Sequence, residues 1–592
     1  MGVRTAPDDD EVLYEPPREP LRWASALLLA PLLLGVFLAN GRPIGAGDTR
    51  ATERVAASLV HEQDLDLDEY PEVEPPFARQ VGAHRVSIYP VLTAVLAAPV
   101  FALVSLAADL DETGSALAGK LAASLLSAAA AAVFFVAVRT RRRSEGDAFR
   151  AAVVLALGTS LWSTSQALWQ HPAAVLFLSI ALLFLVMAED DTVWAGRAGL
   201  PLALLVASRH SDAVLAAVLT LAIAVRWPRR MLLFVLTAAP VAAALLAYNA
   251  WAFGGALEHG FSGSASRFSE TWGVGQAGLL VSPAKGLFVF TPVAIMAIVG
   301  LVRAIRFRDG WLGERWLPAA AGAAALAHLV FIGKWGEWHG GESWGPRMMT
   351  DALPLLFLFL PEALDAFPRV TALLAALSVA VQALGAFAYD YRWERLYQRA
   401  DADRTAALWD ARLAPIPFYA RQGVFLLAAP NLKGRQAVVR EHPLVFFDTP
   451  GSLVSFETEG LRVAGSETTF EDAHLQRGAR IADGRLRLRG RWDALFLRVA
   501  DSARIRPLEL RIAGRGRGPL YVGERTFWSD PRFATYPVSG GFLVRHPYQY
   551  ASSGGGDLTV TVGRGGGEVE IDWVALVPPG DPVRPHRIDG TP

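Results

Sequence analysis

Asp48 follows Gly47 just beyond an apolar run that ends at Asn40. It opens a stretch, residues 49–62, in which Ala51, Val55 and Leu59 recur at helical spacing against Arg50, Glu53, Arg54 and Glu62. That pattern predicts an amphipathic helix lying on a membrane surface, with a carboxylate at its start. As a helix cap the carboxylate would be worth about 1 kcal/mol. At a water–lipid boundary it could also act as a general base, taking the proton of an acceptor hydroxyl that attacks a sugar's anomeric carbon. The two roles are compatible.

Other residues could serve the same chemistry. Asp64, Asp66, Asp68, Glu69, Glu72 and Glu74 form an acidic run that could attract a divalent cation. The ligand spacing and glycine of a calcium loop are missing, so a solvated acidic loop is the plainer reading. His84, Arg85 and Tyr89 could contact a phosphate or anchor the chain at the interface. His171 stands in the turn Gln170-His171-Pro172, after Trp162 and Trp169, as an anchor or a polar ligand. Arg209 and Asp212 lie between two apolar runs, where ionisable groups face a cavity or a partner; they read as an ion pair or as part of a phosphate clamp. Residues 334–347 hold three tryptophans and four glycines. Trp338 could stack on a sugar, while His339, Glu342 and Arg347 could bond hydroxyls or phosphate. Lys285 could reach an anionic lipid headgroup or simply snorkel. No His-Glu-x-x-His element occurs, and no glycine-rich nucleotide loop follows a strand.

The elements that must position these residues are mostly apolar. The 592-residue chain is 52% hydrophobic, too apolar for a wholly soluble protein. Apolar runs of about twenty residues, each able to cross about 30 Å of hydrocarbon, recur up to Tyr389 and then stop. Net charge is −1, so no bulk field points to nucleic acid. Cysteine is absent, which removes disulfides, thiolate metal sites and cysteine nucleophiles. Lysine occurs only at 120, 285, 334 and 433; with the abundant alanine, this is the bias of a GC-rich bacterial genome. Residues 1–20 are acidic and proline-rich, read as a disordered cytoplasmic tail, and the first apolar run as a retained span.

Arginine-rich short loops stay cytoplasmic, which orients the chain. With the N-terminus inside, the first span delivers Asp48 outside, and the clusters at 139–143, 226–230 and 303–315 lie inside. This balances only if 87–110, interrupted by Pro90 and Pro99, does not cross; two crossings remain the alternative. The first outer loop is then 41–113. Further spans fall near 114–138, 148–168, 172–188, 196–208, 212–226, 231–252, 286–304, 317–333, 348–366 and 368–388, about eleven in all. The candidate residues above share the outer face.

Beyond a polar connector (390–430), residues 431–592 show short alternating runs. Examples are Leu486 and Leu488, then Leu508, Leu510 and Ile512, then Leu558, Val560 and Val562, then Val569, Ile571 and Trp573, with glycine-rich turns at 553–556 and 565–567. This predicts an antiparallel, all-β sandwich outside the membrane. Trp528, Tyr536, Tyr548 and Tyr550 are candidate sugar platforms.

Taken together, residues 21–389 resemble the GT-C superfamily of membrane glycosyltransferases, with the protein O-mannosyltransferases and lipid A aminoarabinose transferases as the nearest families. The resemblance rests on Asp48 opening a helix in the first outer loop, a second interfacial helix near Tyr89-Pro90, the His171-Pro172 turn, Ser208-Arg209, and Gly345-Pro346-Arg347 ahead of Pro354. It implies a polytopic α-helical enzyme that moves a sugar from a polyprenyl-phosphate carrier to a glycan, lipid or protein acceptor on the outer face of the bacterial cytoplasmic membrane. Asp48 would be the base, and basic residues would hold the phosphate. Relatives often carry adjacent Asp-Glu, whereas Thr49 follows Asp48 here, so a divalent cation at this carboxylate is not implied. A transporter or flippase for a lipid-linked or polar solute is the alternative, and would place polar residues mid-span and show internal repeats. A non-catalytic envelope scaffold is a third.

Overall fold

The computed structural model describes residues 23–389 apart from 142–143 and 307–311, parts of 391–420, and the strands and some turns between 446 and 577. The N-terminal tail, much of the connector, Trp528, Tyr550 and most of the glycine-rich turns at 553–556 and 565–567 lie outside the described residues.

Helix α1 (Trp23–Leu38) carries no charge and precedes α2 (Gly47–His61). A two-stranded hairpin, β1 (Ala78–Val81) with β2 (His84–Ser87), follows, then α3 (Leu92–Ser105) and α4 (Glu112–Thr140). Asp111 starts α4 by accepting from Gly114 N at 2.7 Å. With 14 residues, α3 is about 21 Å long, short of the hydrocarbon thickness. It packs instead in a satellite core, where Ala94, Ala97 and Phe101 meet Ala51 and Val55 of α2 and Ala118 and Ala122 of α4.

The bundle continues through α5 (Glu145–Leu157), α6 (Ser160–Thr164), α7 (His171–Met187), α8 (Val193–Arg197), α9 (Gly199–Ser208), α10 (Ala213–Arg226) and α11 (Met231–Phe253). It closes with α12 (Val274–Val281), α13 (Leu287–Phe290), α14 (Ala294–Arg306), α15 (Leu312–Ile332), α16 (Leu353–Phe357), α17 (Leu360–Ala366) and α18 (Pro368–Ala388). Among the described residues, four helices are long and apolar enough to cross a membrane: 112–140, 228–253, 315–332 and 368–388. This is a multi-pass membrane protein.

Several runs predicted as unbroken spans are interrupted. The run at 286–304 divides into α13 and α14 at Thr291-Pro292, and 348–366 into a 3-10 turn (Arg347–Ala352), α16 and α17, with Pro354 and Pro361 starting the two helices. Proline has no N–H to continue the preceding turn. The run at 148–168 breaks at Gly158, and Thr159 restarts the chain by accepting from Leu161 N at 3.2 Å.

A short helix α19 (Arg404–Trp409) lies in the connector. The β-rich region is built on the hairpin of β3 (Leu508–Thr526) and β4 (Arg532–Tyr548), with β5 (Gly556–Val562) and β6 (Glu568–Val577) sharing the other edge of β3. Leu486, Leu488, Leu510, Ile512, Val560, Val569 and Ile571 are buried together, as the alternation predicts. On the polar face, Glu570 receives Arg487 at 3.0 Å and Arg515 at 2.7 Å. The described pairs are antiparallel except one parallel contact, between Phe446–Phe447 and Ala494–Val499.

Candidate active site

Helix α2 begins two residues earlier than a cap at Asp48 would require. Ala46, extended at φ −125 and ψ −174, is the cap residue, and Thr49 completes the turn: its Oγ1 accepts from Ala46 N at 3.1 Å and donates to Ala46 O at 2.9 Å. Asp48 is therefore not the N-cap. It lies inside the first turn, where its Oδ1 accepts from Thr49 N at 3.1 Å and its Oδ2 faces elsewhere. Gly47 permits this, because a Cβ there would stand 2.3 Å from the Phe77 ring.

What Oδ2 faces is Arg347, at 2.5 Å from Nη1. Arg347 also donates from Nη2 to Gly340 O at 2.6 Å, and its guanidinium lies 3.9 Å from the centre of the Trp169 ring. The loop that delivers it turns on Gly340 (φ +76) and Gly345 (φ +71). A side chain at Gly345 would also meet Phe290 at 2.8 Å. Burial pushes the Asp48 carboxyl above its usual range; Arg347 opposes this without cancelling it. The Tyr89 hydroxyl, raised by burial and then by the Asp48 charge, shares this field and packs edge-on against Phe261 at 5.9 Å. Glu53, one turn further along α2 against Gly119, is pushed up to about 7, chiefly by burial.

A narrow cleft opens beside this pair, lined by Trp169, Glu342, Trp344, Arg347, Tyr389 and Tyr391 among others. Aromatic walls, a carboxylate and a guanidinium suit a sugar phosphate.

Next to it stands a buried polar network. His171 Nδ1 is 2.8 Å from Asp351 Oδ1, Arg209 Nε is 3.1 Å from Asp351 Oδ2, and Arg209 Nη1 is 2.8 Å from His171 Nε2. Arginine can only donate, so His171 Nε2 accepts and its Nδ1–H points to Asp351. Arg209 thus pairs first with Asp351, and Asp212 is 4.0 Å from its Nε. The backbone joins this network to the Asp48 pair, since Asp351 lies one turn beyond Arg347.

The remaining sequence candidates are placed differently. Lys285 is 1% exposed and bonds Glu394 Oε1 at 2.8 Å, Gly341 O at 3.0 Å and Ser343 O, so it ties the loop to the connector and does not face a headgroup. Trp338 is equally buried over Gly278, with Nε1 donating to Glu270 at 3.1 Å; it is core, not a sugar platform. His339 pairs with Glu337 at 3.2 Å and accepts from Gly341 N. Arg85 donates to Val73 O and Tyr70 O and holds the acidic loop. His84, exposed, sits 3.0 Å from Asp66 and 3.1 Å from Asp68; these three could hold a cation, but their ligand atoms already bond one another.

Sequence reasoning missed Asp351, His328, Glu394 and the stacking role of Trp169. A signal existed for two of them: His328 interrupts the run 317–333, and Asp351 follows Arg347 at the head of another.

No protein-family model matches the chain, and no curated protein matches it. Among solved structures, the chain is similar to the apo oligosaccharyltransferase of Archaeoglobus fulgidus, at 12% identity and a TM-score of 0.38 over 67% of this chain and 61% of that one. The same archaeal enzyme, AglB, in complex with an inhibitory peptide and a dolichol-phosphate matches at 13% identity and a TM-score of 0.38, over 66% of this chain and 60% of that one. The chain thus spans about three fifths of the length of these structures.

Proposed function

We propose that this protein is a membrane glycosyltransferase that moves a sugar from a polyprenyl-phosphate carrier to a hydroxyl acceptor on the outer face of the cytoplasmic membrane, with about eleven crossings and its β-rich region also outside. The observation that carries the reading is the buried contact of Asp48 with Arg347 beside an aromatic cleft. A base and a phosphate ligand bound to each other form a self-protecting pair. The donor's phosphate competes for Arg347, and its arrival frees Asp48 Oδ2.

The released carboxylate takes the acceptor's proton as the acceptor oxygen bonds to the anomeric carbon. The bond from that carbon to the phosphate oxygen breaks, and polyprenyl phosphate leaves with one more negative charge than it carried as the ester. Arg347 faces that growing charge, which is where a fixed cation lowers the barrier. Burial supports the role of Asp48, because a carboxyl raised above its ordinary range holds the proton more firmly.

The test is transfer from labelled polyprenyl-phosphate sugars in membranes holding wild type or Asp48→Asn. Asparagine keeps the size and the bond to Thr49 N but cannot take a proton. Transfer should fall by about 100-fold or more, with donor binding retained. Undiminished transfer in the variant overturns the assignment, and wild-type movement of the carrier across the bilayer without transfer would make the protein a flippase.

A further inference from the structure

Asp212, His328 and Asp351 converge from the start of α10, the last turns of α15 and the 3-10 turn at Arg347–Ala352, and all three are fully buried. Their ligand atoms lie within 4.8 Å of one another. Both oxygens of Asp212 and the Nδ1 of His328 have no hydrogen-bond partner. Buried polar atoms are almost always bonded, and a buried carboxylate with neither oxygen bonded is costly.

The neighbours do not account for it. Arg209 Nε is 4.0 Å from Asp212 Oδ1 and 3.1 Å from Asp351 Oδ2, so its ion pair is with Asp351, while its hydrogen bonds go to Ser211, His171 and Met348 Sδ. Two carboxylates share this one arginine. His328 is 3.8 Å from Asp212, too far for a protonated imidazole to donate. Its Nε2 meets Met348 O at 2.9 Å, so that nitrogen carries the proton and the Nδ1 lone pair is directed at Asp212. An imidazole held by a backbone carbonyl on one side, with its free nitrogen facing carboxylates, is prepared to ligate a metal.

We infer that Asp212, His328 Nδ1 and Asp351 form a divalent-cation site, and that its ion is zinc. One imidazole and two carboxylates suit zinc better than calcium or magnesium, which take oxygen ligands in larger number. Ligands about 2.0–2.1 Å from a tetrahedral ion stand about 3.3 Å apart, so the 3.8 Å gap closes by about half an ångström on binding. The ion supplies the positive charge that the second carboxylate lacks and fastens three helix ends behind Arg347. The site does not include Asp48 and does not depend on its role.

The full chain, purified in detergent after growth with zinc and dialysed, should hold close to one zinc per chain by mass spectrometry. Asp212→Asn and His328→Gln should lose most of it while eluting as monodisperse protein. Asp48→Asn and His84→Gln should retain it, which separates this site from the transfer chemistry and from the exposed acidic loop. Chelator-stripped wild type titrated with Co²⁺ should develop visible ligand-field bands, a readout independent of how the variants fold. Stripped wild type that takes up neither Zn²⁺ nor Co²⁺ overturns the assignment, as does zinc retained in full by folded Asp212→Asn and His328→Gln.

Discussion

Arg347 makes two hydrogen bonds and a stacking contact with one planar group, and lysine cannot reproduce that geometry. Arg347→Lys should keep the charge yet lose one charge-assisted bond, about 1.5–3 kcal/mol. That converts to a fall of about tenfold to a hundredfold in kcat/KM for transfer. A base whose pKa is raised must still be ionised to act, so kcat/KM should fall as pH drops through a midpoint above the ordinary 3.8 of aspartate. A profile flat down to pH 4 would exclude Asp48 as the titrating group. Glu53 predicts a stability effect of opposite use. Its folded-state pKa of about 7 exceeds its usual 4.5, so the folded state binds more protons between those values. Stability therefore falls as pH rises from 4.5 to 7 and is level above, by about 3 kcal/mol in total. Glu53→Gln should abolish that slope and raise the melting midpoint at pH 8, read by a thermal shift in detergent.

At the scale of elements, the loop at 334–347 is held from below by Lys285, whose ammonium is sealed between two loop carbonyls and Glu394. Lys285→Met strands a buried carboxylate and should cost about 3–5 kcal/mol, while Lys285→Met with Glu394→Gln should recover much of the loss. An unchanged melting midpoint with weaker donor binding would instead make Lys285 a headgroup contact. The long helices were legible in the sequence: expected spans at 114–138, 231–252 and 368–388 appear as α4, α11 and α18, shifted by two residues or fewer. Interrupted helices were not, because averaged hydropathy registers apolar content and not continuity, although Pro292, Pro354, Pro361 and Gly158 mark each break. The same averaging hid His328 and Asp351, single polar residues in apolar runs. Asp48 and Arg347 were both legible as candidates. Their contact across 299 residues was not, since it depends on how the loop folds back over α2. Lys285 and Trp338 failed for a related reason: a residue type suited to a ligand is equally suited to a buried tie, and burial is a property of the packed molecule.

The whole molecule offers a test of orientation that its composition makes simple. Helix α11 is strongly apolar, yet almost none of it is buried against the rest of the protein; Leu232 is 72% and Leu236 60% exposed. In water such a surface would drive aggregation, whereas in lipid it needs no cover. At 23 residues, α11 is about 34 Å long, enough to cross, and Arg229 and Leu257 bracket it. The Leu257 end belongs with the candidate site, because the loop it begins passes so close to Ile88 that a Cβ at Gly260 would stand 2.0 Å from the Ile88 carbonyl oxygen, and its Phe261 packs on Tyr89. The chain has no cysteine, so single substitutions can be read on the native background. Leu257→Cys should react with a membrane-impermeant maleimide in intact cells, Arg229→Cys only after the membrane is opened, and Leu236→Cys in neither case. Labelling of Arg229→Cys and Leu257→Cys from the same side would show that α11 does not cross. The reverse pattern would put Asp48 and Arg347 in the cytoplasm and overturn transfer on the outer face.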